Sequence, residues 1–165
     1  MKKYKVGMYG GKFLPFHKGH LHCLQKASEE CELVYCVLVI GGESERKVIA
    51  KRNDDFLQPE NRKRAIEKIC REKFDNVKFT TIDVTDCVLE DGSEDWDAET
   101  PLMVKACEGN TLNAVYGSEP AYKEYFNRAY PSAEYVLVDV DRVEVPISAT
   151  KIREMDEKER RNWTV

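Results

Sequence analysis

The sequence predicts an α/β protein, a single domain built on a doubly wound parallel sheet of about five strands with helices on both faces. Three observations predict it. Strand-like apolar runs alternate with segments of helical period along the whole chain, and that alternation implies right-handed parallel crossovers around one sheet. The run LVYCVLVIG at 33–41 is apolar almost throughout, as a strand covered on both faces must be. The 165 residues, 42% apolar and 34% charged, suffice for one hydrophobic core, and no repeat or linker divides residues 1–165.

The elements follow in order. YKVGMYG (4–10) reads as a short buried strand, and Leu21, Leu24, Ala27 and Cys31 then recur at helical spacing. The buried strand at 33–41 comes next. GESERKVIAKRNDDFL (42–57) has mixed charge and little periodicity and is expected to be a mobile loop. Pro59 suits the first turn of a helix whose stripe is Ile66, Ile69, Cys70 and Phe74. VKFTTIDV (77–84) is a strand, followed by a loop over 85–97 that is rich in acids and ends in EDWD. Leu102, Met103, Ala106 and Cys107 mark a helix, LNAVYG (112–117) a strand, and Tyr122, Tyr125, Phe126 and Ala129 another helix. EYVLVDV (134–140) is the last strand; a short helix follows Pro146, and a charged tail ends the chain.

Composition narrows the function. A net charge of −4 gives no general attraction to nucleic acid or anionic membranes, so any phosphate site must be local. The six cysteines show no CxxC and no metal-ligand spacing. Reduced, buried thiols are expected, and with them a reducing compartment. No run reaches the roughly 18 apolar residues of a membrane span and no signal-peptide core is visible, so the expected location is cytoplasmic. The acids of NDD (53–55) and EDGSEDWD (90–97) are expected to be solvated loop faces rather than metal ligands.

One stretch stands out: GGKFLPFHKGH (10–20). It holds two of the three histidines in the chain, directly after the first strand and before the first helix. In doubly wound sheets ligands bind outside the carboxyl ends of the strands. Gly10 and Gly11 allow the backbone to approach a ligand there, and Gly19 keeps the helix entrance clear. Unpaired N–H groups and the macrodipole make that entrance an anion site. His17 lies just outside it and His20 in the first turn, so both imidazoles can face one phosphate and stabilise charge developing on it. His22, roughly opposite His20 around the helix, is expected to be structural or solvated. A second stretch, VPISATKIRE (145–154), offers Ser148 or Thr150 as a cap and Arg153 three residues beyond Thr150, on the same helical face. An arginine fork there is a second phosphate clamp. Two clamps, one after the first strand and one after the last, suit a nucleoside triphosphate.

HKGH (17–20) and ISATKIR (147–153) resemble the HxGH and ISxTxxR elements of the nucleotidyltransferase superfamily, in the same order. Within it, GKFLPFHKGH is most similar to nicotinamide-nucleotide adenylyltransferases of the NadR and archaeal kinds. Pantetheine-phosphate adenylyltransferases usually carry threonine at the position of His17; cytidylyltransferases and flavin adenylyltransferases usually carry it at that of Lys12. The resemblance implies a Rossmann-like nucleotidyltransferase fold and transfer of AMP from ATP to nicotinamide mononucleotide, giving NAD and pyrophosphate. His17, His20, Lys12 and Arg153 are then the expected catalytic groups. Gly10, Gly11, Phe13 and Gly19 would line the ATP site from the first clamp, Tyr116, Gly117 and Ser118 from YGSE after the fourth strand, and Ser148 and Thr150 from the second clamp. For the acceptor the resemblance implies Trp96, Lys12 and Arg62, with Trp96 stacking on the nicotinamide ring.

The implied cofactor is Mg²⁺, carried with ATP mainly by phosphates and water. Expected partners are small molecules, ATP and nicotinamide mononucleotide or another phosphorylated acceptor. Longer NadR-type proteins add a ribosylnicotinamide kinase domain, but no GxxxxGK[ST] loop occurs here. Another acceptor, CTP as donor, or a non-catalytic domain sensing ATP or NAD are the alternatives. An aminoacyl-tRNA synthetase fragment shares the two-histidine logic but fits an acidic chain poorly.

Overall fold

Strand Tyr4–Gly11 (β1) leads through helix Lys18–Glu30 (α1) into strand Cys31–Ile40 (β2) in the computed structural model, which describes all residues 1–165. Helices Glu43–Lys51 (α2) and Pro59–Lys73 (α3) precede strand Val77–Asp83 (β3). Helix Trp96–Ala106 (α4), strand Ala114–Gly117 (β4), helix Lys123–Ala129 (α5) and strand Glu134–Leu137 (β5) follow, and two short helices, Ala149–Glu154 (α6) and Glu157–Arg160 (α7), end the chain. The sheet order is β3-β2-β1-β4-β5, and every pairing is parallel. Winding runs outward from β1 through β2 to β3, then returns to β4 on the other side of β1. The switch point therefore lies between β1 and β4, beside Gly10, Gly11 and Gly117.

Strand pleating explains the two-sided core. Successive side chains point to opposite faces, so Val34, Cys36 and Leu38 of β2 pack with Cys23, Leu24 and Ala27 of α1 and with Ile66 and Cys70 of α3. Tyr35 and Val37 turn the other way, toward Met8, Val115, Cys107 and Tyr130, on the side that carries α4 and α5. Leu24 is fully buried, and cutting such a leucine to alanine costs about 2–5 kcal/mol. The thiols behave as small hydrophobes: all six are free and only Cys87 is not buried.

Residues 42–57 depart from the expected mobile loop. They hold α2 and a 3-10 turn at Asp55–Leu57. No apolar stripe anchors α2; its one buried residue is Glu45, whose carboxylate pairs with Arg62 of α3 and accepts from Gly41 N–H at 2.6 Å. Arg52 beyond it donates to Asp54 Oδ2 at 2.8 Å and to the Arg153 carbonyl. The charged tail is ordered as well. Arg160 lies 4.0 Å over the Phe56 ring, Lys18 N–H donates to Trp163 C=O at 2.8 Å, and Thr164 forms an antiparallel bridge with His17. No helix is long and apolar enough to cross a membrane.

Candidate active site

A cavity of about 540 Å³ opens at the switch point, and the sequence-predicted motifs converge on it. Gly10, Gly11, Lys12, Phe13, His17, Gly19 and His20 line it from β1 and the entrance of α1; Tyr116, Gly117 and Ser118 from the end of β4; Trp96 from α4; and Arg153 from α6. Three expected residues are not on its wall. Ser148 spends its hydroxyl capping α6, accepting from Lys151 N–H at 3.3 Å. Thr150 accepts from Arg153 at 3.3 Å through its hydroxyl. Arg62 is buried in α3, donating to Glu45 and to the Leu57 carbonyl at 2.6 Å; its guanidinium holds α2 in place rather than reaching the cavity. A separate hollow of about 530 Å³ between α3 and edge strand β3 contains none of the motif residues.

The histidines build their own helix start. His17 is the N-cap of α1, its Nδ1 accepting from Gly19 N–H at 3.0 Å, while His20 Nδ1 accepts from His17 N–H at 3.1 Å. This is the reciprocal logic of a capping box, here made from two imidazoles. With both Nδ1 atoms accepting, a neutral ring carries its proton on Nε2. The rings stack with centroids 3.7 Å apart and planes 25° apart. Phe13 stands edge-on to His20 at 4.8 Å, with Phe16 at 5.4 Å. Gly19 is required by His17 itself: a Cβ there would lie 2.8 Å from the His17 ring. Burial, and then the Arg142 guanidinium, lowers His17 to about 4. Burial, the neighbouring His17 and Arg142 hold His20 well below the usual imidazole range. Both rings are thus neutral donors at pH 7. His22 lies outside the cavity lining and pairs with Glu144 at 2.6 Å.

The cationic side is fixed by backbone carbonyls. Arg153 donates to Leu14 C=O at 2.8 Å, tying α6 to the loop after β1. Lys12 donates to Gly41 C=O at 2.7 Å and pairs with Glu94, which also accepts from Ser44 at 3.1 Å. Gly42, at φ 89°, leaves the room: a Cβ there would lie 2.5 Å from Lys12 Nζ. Glu94, expected in a solvated loop face, is instead drawn into the wall with its side chain 15% exposed. Trp96 opens α4, behind the Asp95 cap, rather than ending a loop. Its ring meets Tyr122 at 4.7 Å and Tyr125 at 5.0 Å, both edge-on.

Sequence reasoning missed Arg142, Glu94, Glu99, Tyr122 and Tyr125 on this wall. Arg142 had a local signal in VDVDR, just ahead of the second clamp. It donates to Ile147 C=O at 2.7 Å, and Asp139 shapes its loop by accepting from the N–H groups of Val143, Glu144 and Val145.

A parallel sheet that reverses its winding beside β1, with paired imidazoles after the first strand and an arginine from the helix after the last facing one cavity, places the chain among the nucleotidyltransferases. More particularly, it belongs to the cytidylyltransferase-like family, whose model matches residues 8–155. The phosphopantetheine adenylyltransferase of Mycoplasma mycoides subsp. mycoides SC is 27% identical over 154 residues, covering 92% of this chain and 96% of that one. Its counterpart in Mycoplasma capricolum is 25% identical over 155 residues, with the same coverage of 92% and 96%. Among solved structures, a NadR protein in complex with NR superposes with a TM-score of 0.67 at 23% identity, over 99% of this chain and 43% of that one. A bifunctional NMN adenylyltransferase/ADP ribose pyrophosphatase from Francisella tularensis gives 0.63 at 22% identity, over 92% of this chain and 41% of that one. Those two likenesses are of fold, and this chain spans less than half the length of either structure.

Proposed function

We propose that the chain transfers AMP from ATP to nicotinamide mononucleotide, releasing pyrophosphate and forming NAD. One observation carries the reading: the wall of a single cavity bears both the imidazole–guanidinium groups suited to a triphosphate and the Trp96–Tyr122–Tyr125 aromatic surface suited to a flat ring. An acceptor phosphate oxygen attacks the α-phosphorus in line. The bond from that phosphorus to the α–β bridging oxygen breaks, and its electron pair leaves with pyrophosphate. No protein nucleophile is needed, so the chain contributes positioning and charge stabilisation. Neutral His17 and His20 donate from Nε2 to the α-phosphate and bridging oxygens. Arg153 and Arg142 hold the β- and γ-phosphates, and Lys12 exchanges Glu94 for a substrate phosphate.

Magnesium would arrive on the phosphates of ATP and neutralise their charge. Two acids of the wall are otherwise engaged, Glu94 with Lys12 and Asp139 with three backbone N–H groups, and Glu99 lies on the Trp96 helix. Substrate oxygens and water therefore suit that hard ion better than this protein's side chains.

A second reading makes the acceptor a phosphopantetheine. It is favoured by the named activity of the Mycoplasma relatives, which align over nearly the full length of both chains. Against it stand the aromatic wall and His17, whose position is usually threonine in the pantetheine enzymes. Incubation with ATP or CTP and each of nicotinamide mononucleotide, nicotinic acid mononucleotide and 4′-phosphopantetheine, with pyrophosphate measured and products weighed by mass spectrometry, tests the reading. NAD from ATP is the expected product. Dephospho-coenzyme A as the sole product would overturn it.

A further inference from the structure

The aromatic wall carries a carboxylate that the mechanism leaves unused. Glu99 lies three residues after Trp96 on α4, so both side chains belong to one helical face, and both line the cavity. Tyr125 fixes this turn, its hydroxyl donating to Trp96 C=O at 2.9 Å and meeting Thr100 Oγ1 at 2.6 Å. Glu99 is half-buried, yet its carboxylate has neither a hydrogen-bond nor an ion-pair partner: Lys12, the near cation, is already paired with Glu94. A partly desolvated carboxylate in one cavity wall with Trp96, Tyr122 and Tyr125 is a poor place for an anion and a good one for a cation.

We infer that Glu99 is a specificity-determining residue, selecting an acceptor whose ring is a cation without a carboxylate and rejecting the carboxylated ring. The inference rests on the pyridine-nucleotide reading above. A nicotinamide ring linked to ribose is a pyridinium bearing a neutral amide. Its nicotinic acid counterpart adds a negative charge that would face Glu99 in a cavity of reduced dielectric.

Glu99 should also make the selectivity depend on pH. Burial, then the charge of Glu94, raises its carboxyl to about 7, with Lys12 opposing and Asp95 reinforcing. The other titratable groups coupled to it are Cys87, Tyr125 and Tyr130. Below that value Glu99 is neutral and the site discriminates little by ring charge; above it the carboxylate favours the cation. Both acceptors carry the same 5′-phosphate, so its own titration cancels in their ratio.

The experiment measures kcat/KM for the two pyridine mononucleotides from pH 6 to 8.5, in the wild type, Glu99→Gln and Glu99→Asp. The amide is expected to be preferred about tenfold or more at pH 8, on the scale of one close like-charge contact, with the ratio shrinking toward pH 6. Glu99→Gln should flatten that dependence and collapse the ratio, and Glu99→Asp should restore it. If the Gln variant does not fold, the wild-type ratio alone decides, because one that stays constant from pH 6 to 8.5 overturns the inference. Should both pyridine nucleotides react with a ratio that Glu99→Gln leaves intact, Glu99 loses this role while the acceptor reading stands. Reaction with 4′-phosphopantetheine and neither pyridine nucleotide would overturn both.

Discussion

His17 and His20 cap one another. The N–H of His17 is satisfied by His20 Nδ1 at 3.1 Å, and the His17 ring, stacked 3.7 Å from that of His20, takes the Gly19 N–H. The HxGH spacing therefore does two tasks at once: it ends the orphan state of two helix-start donors, and it points both Nε2 donors away from the backbone. Replacing either ring disturbs the fold locally as well as any chemistry proposed for it.

For His20→Ala, the lost donor should cut kcat by about 100- to 1,000-fold, the scale of a charge-stabilising group removed from a transition state. The KM for ATP should move far less, because Arg153, Arg142 and Lys12 persist. Steady-state kinetics decides it: a drop in kcat/KM arising wholly from KM would make His20 a binding residue and not a catalytic one.

Acid should weaken the fold through the same pair. The folded chain holds His17 at about 4 against an ordinary 6.5, and His20 is lowered too, so the unfolded chain binds more protons between those values. Stability from these rings is complete above pH 6.5 and is lost as pH falls toward 4, by about 3 kcal/mol at most for His17. Glu99 acts in the opposite sense, since its raised carboxyl favours the folded state at low pH. The comparison of His17→Asn with the wild type isolates the imidazole, because asparagine is itself a good N-cap. Denaturant titrations from pH 7.5 to 4 should give a shallower decline for the variant; parallel curves would refute the assignment.

Lys12 is pre-engaged in the free protein, its ammonium shared between Glu94 and Gly41 C=O. A phosphate bound there must displace a carboxylate. Glu94→Gln keeps the shape and removes the competing charge, so a non-hydrolysable ATP analogue should bind about 3- to 10-fold tighter, with the gain fading as salt screens it. Calorimetric titration at low and high ionic strength reads this directly. Weaker binding by the variant would mean that Glu94 orients Lys12 rather than restrains it.

What was legible in the sequence follows from how local each cause is. The β2 run and the α1 stripe announce themselves because their partners are the sheet and helix faces that any such pattern implies. HKGH was legible because its capping bonds close within four residues. α2 was not: it is fastened by Glu45 to an arginine 17 residues away, and its own apolar periodicity is slight. Glu94 looked like a solvated loop acid because only the fold brings Lys12 to it, and Glu99 stood out in no local pattern because only the fold sets it in the cavity wall. The tail read only as charged because its partners, Phe56 and the backbone of Lys18, lie more than a hundred residues earlier.

Arg62 shows the same point in testable form. Resemblance suggested an acceptor ligand, but its side chain is 1% exposed, paired with a Glu45 side chain 7% exposed, and its Nε has no partner at all. Removing one member of such a pair strands the other charge in the interior. Arg62→Ala should therefore cost about 3–5 kcal/mol, whereas replacing both members with apolar residues of similar volume should be close to neutral. The double variant Arg62→Met with Glu45→Leu should recover most of the lost stability in equilibrium denaturation. Gly41 N–H, which loses its acceptor in that variant, sets the remaining deficit, of order 1–3 kcal/mol for one stranded donor. With α2 held in place by apolar contact, the acceptor's KM should stay at the wild-type value. A KM raised equally in the single and double variants, with stability restored in the double, would return Arg62 to the acceptor site.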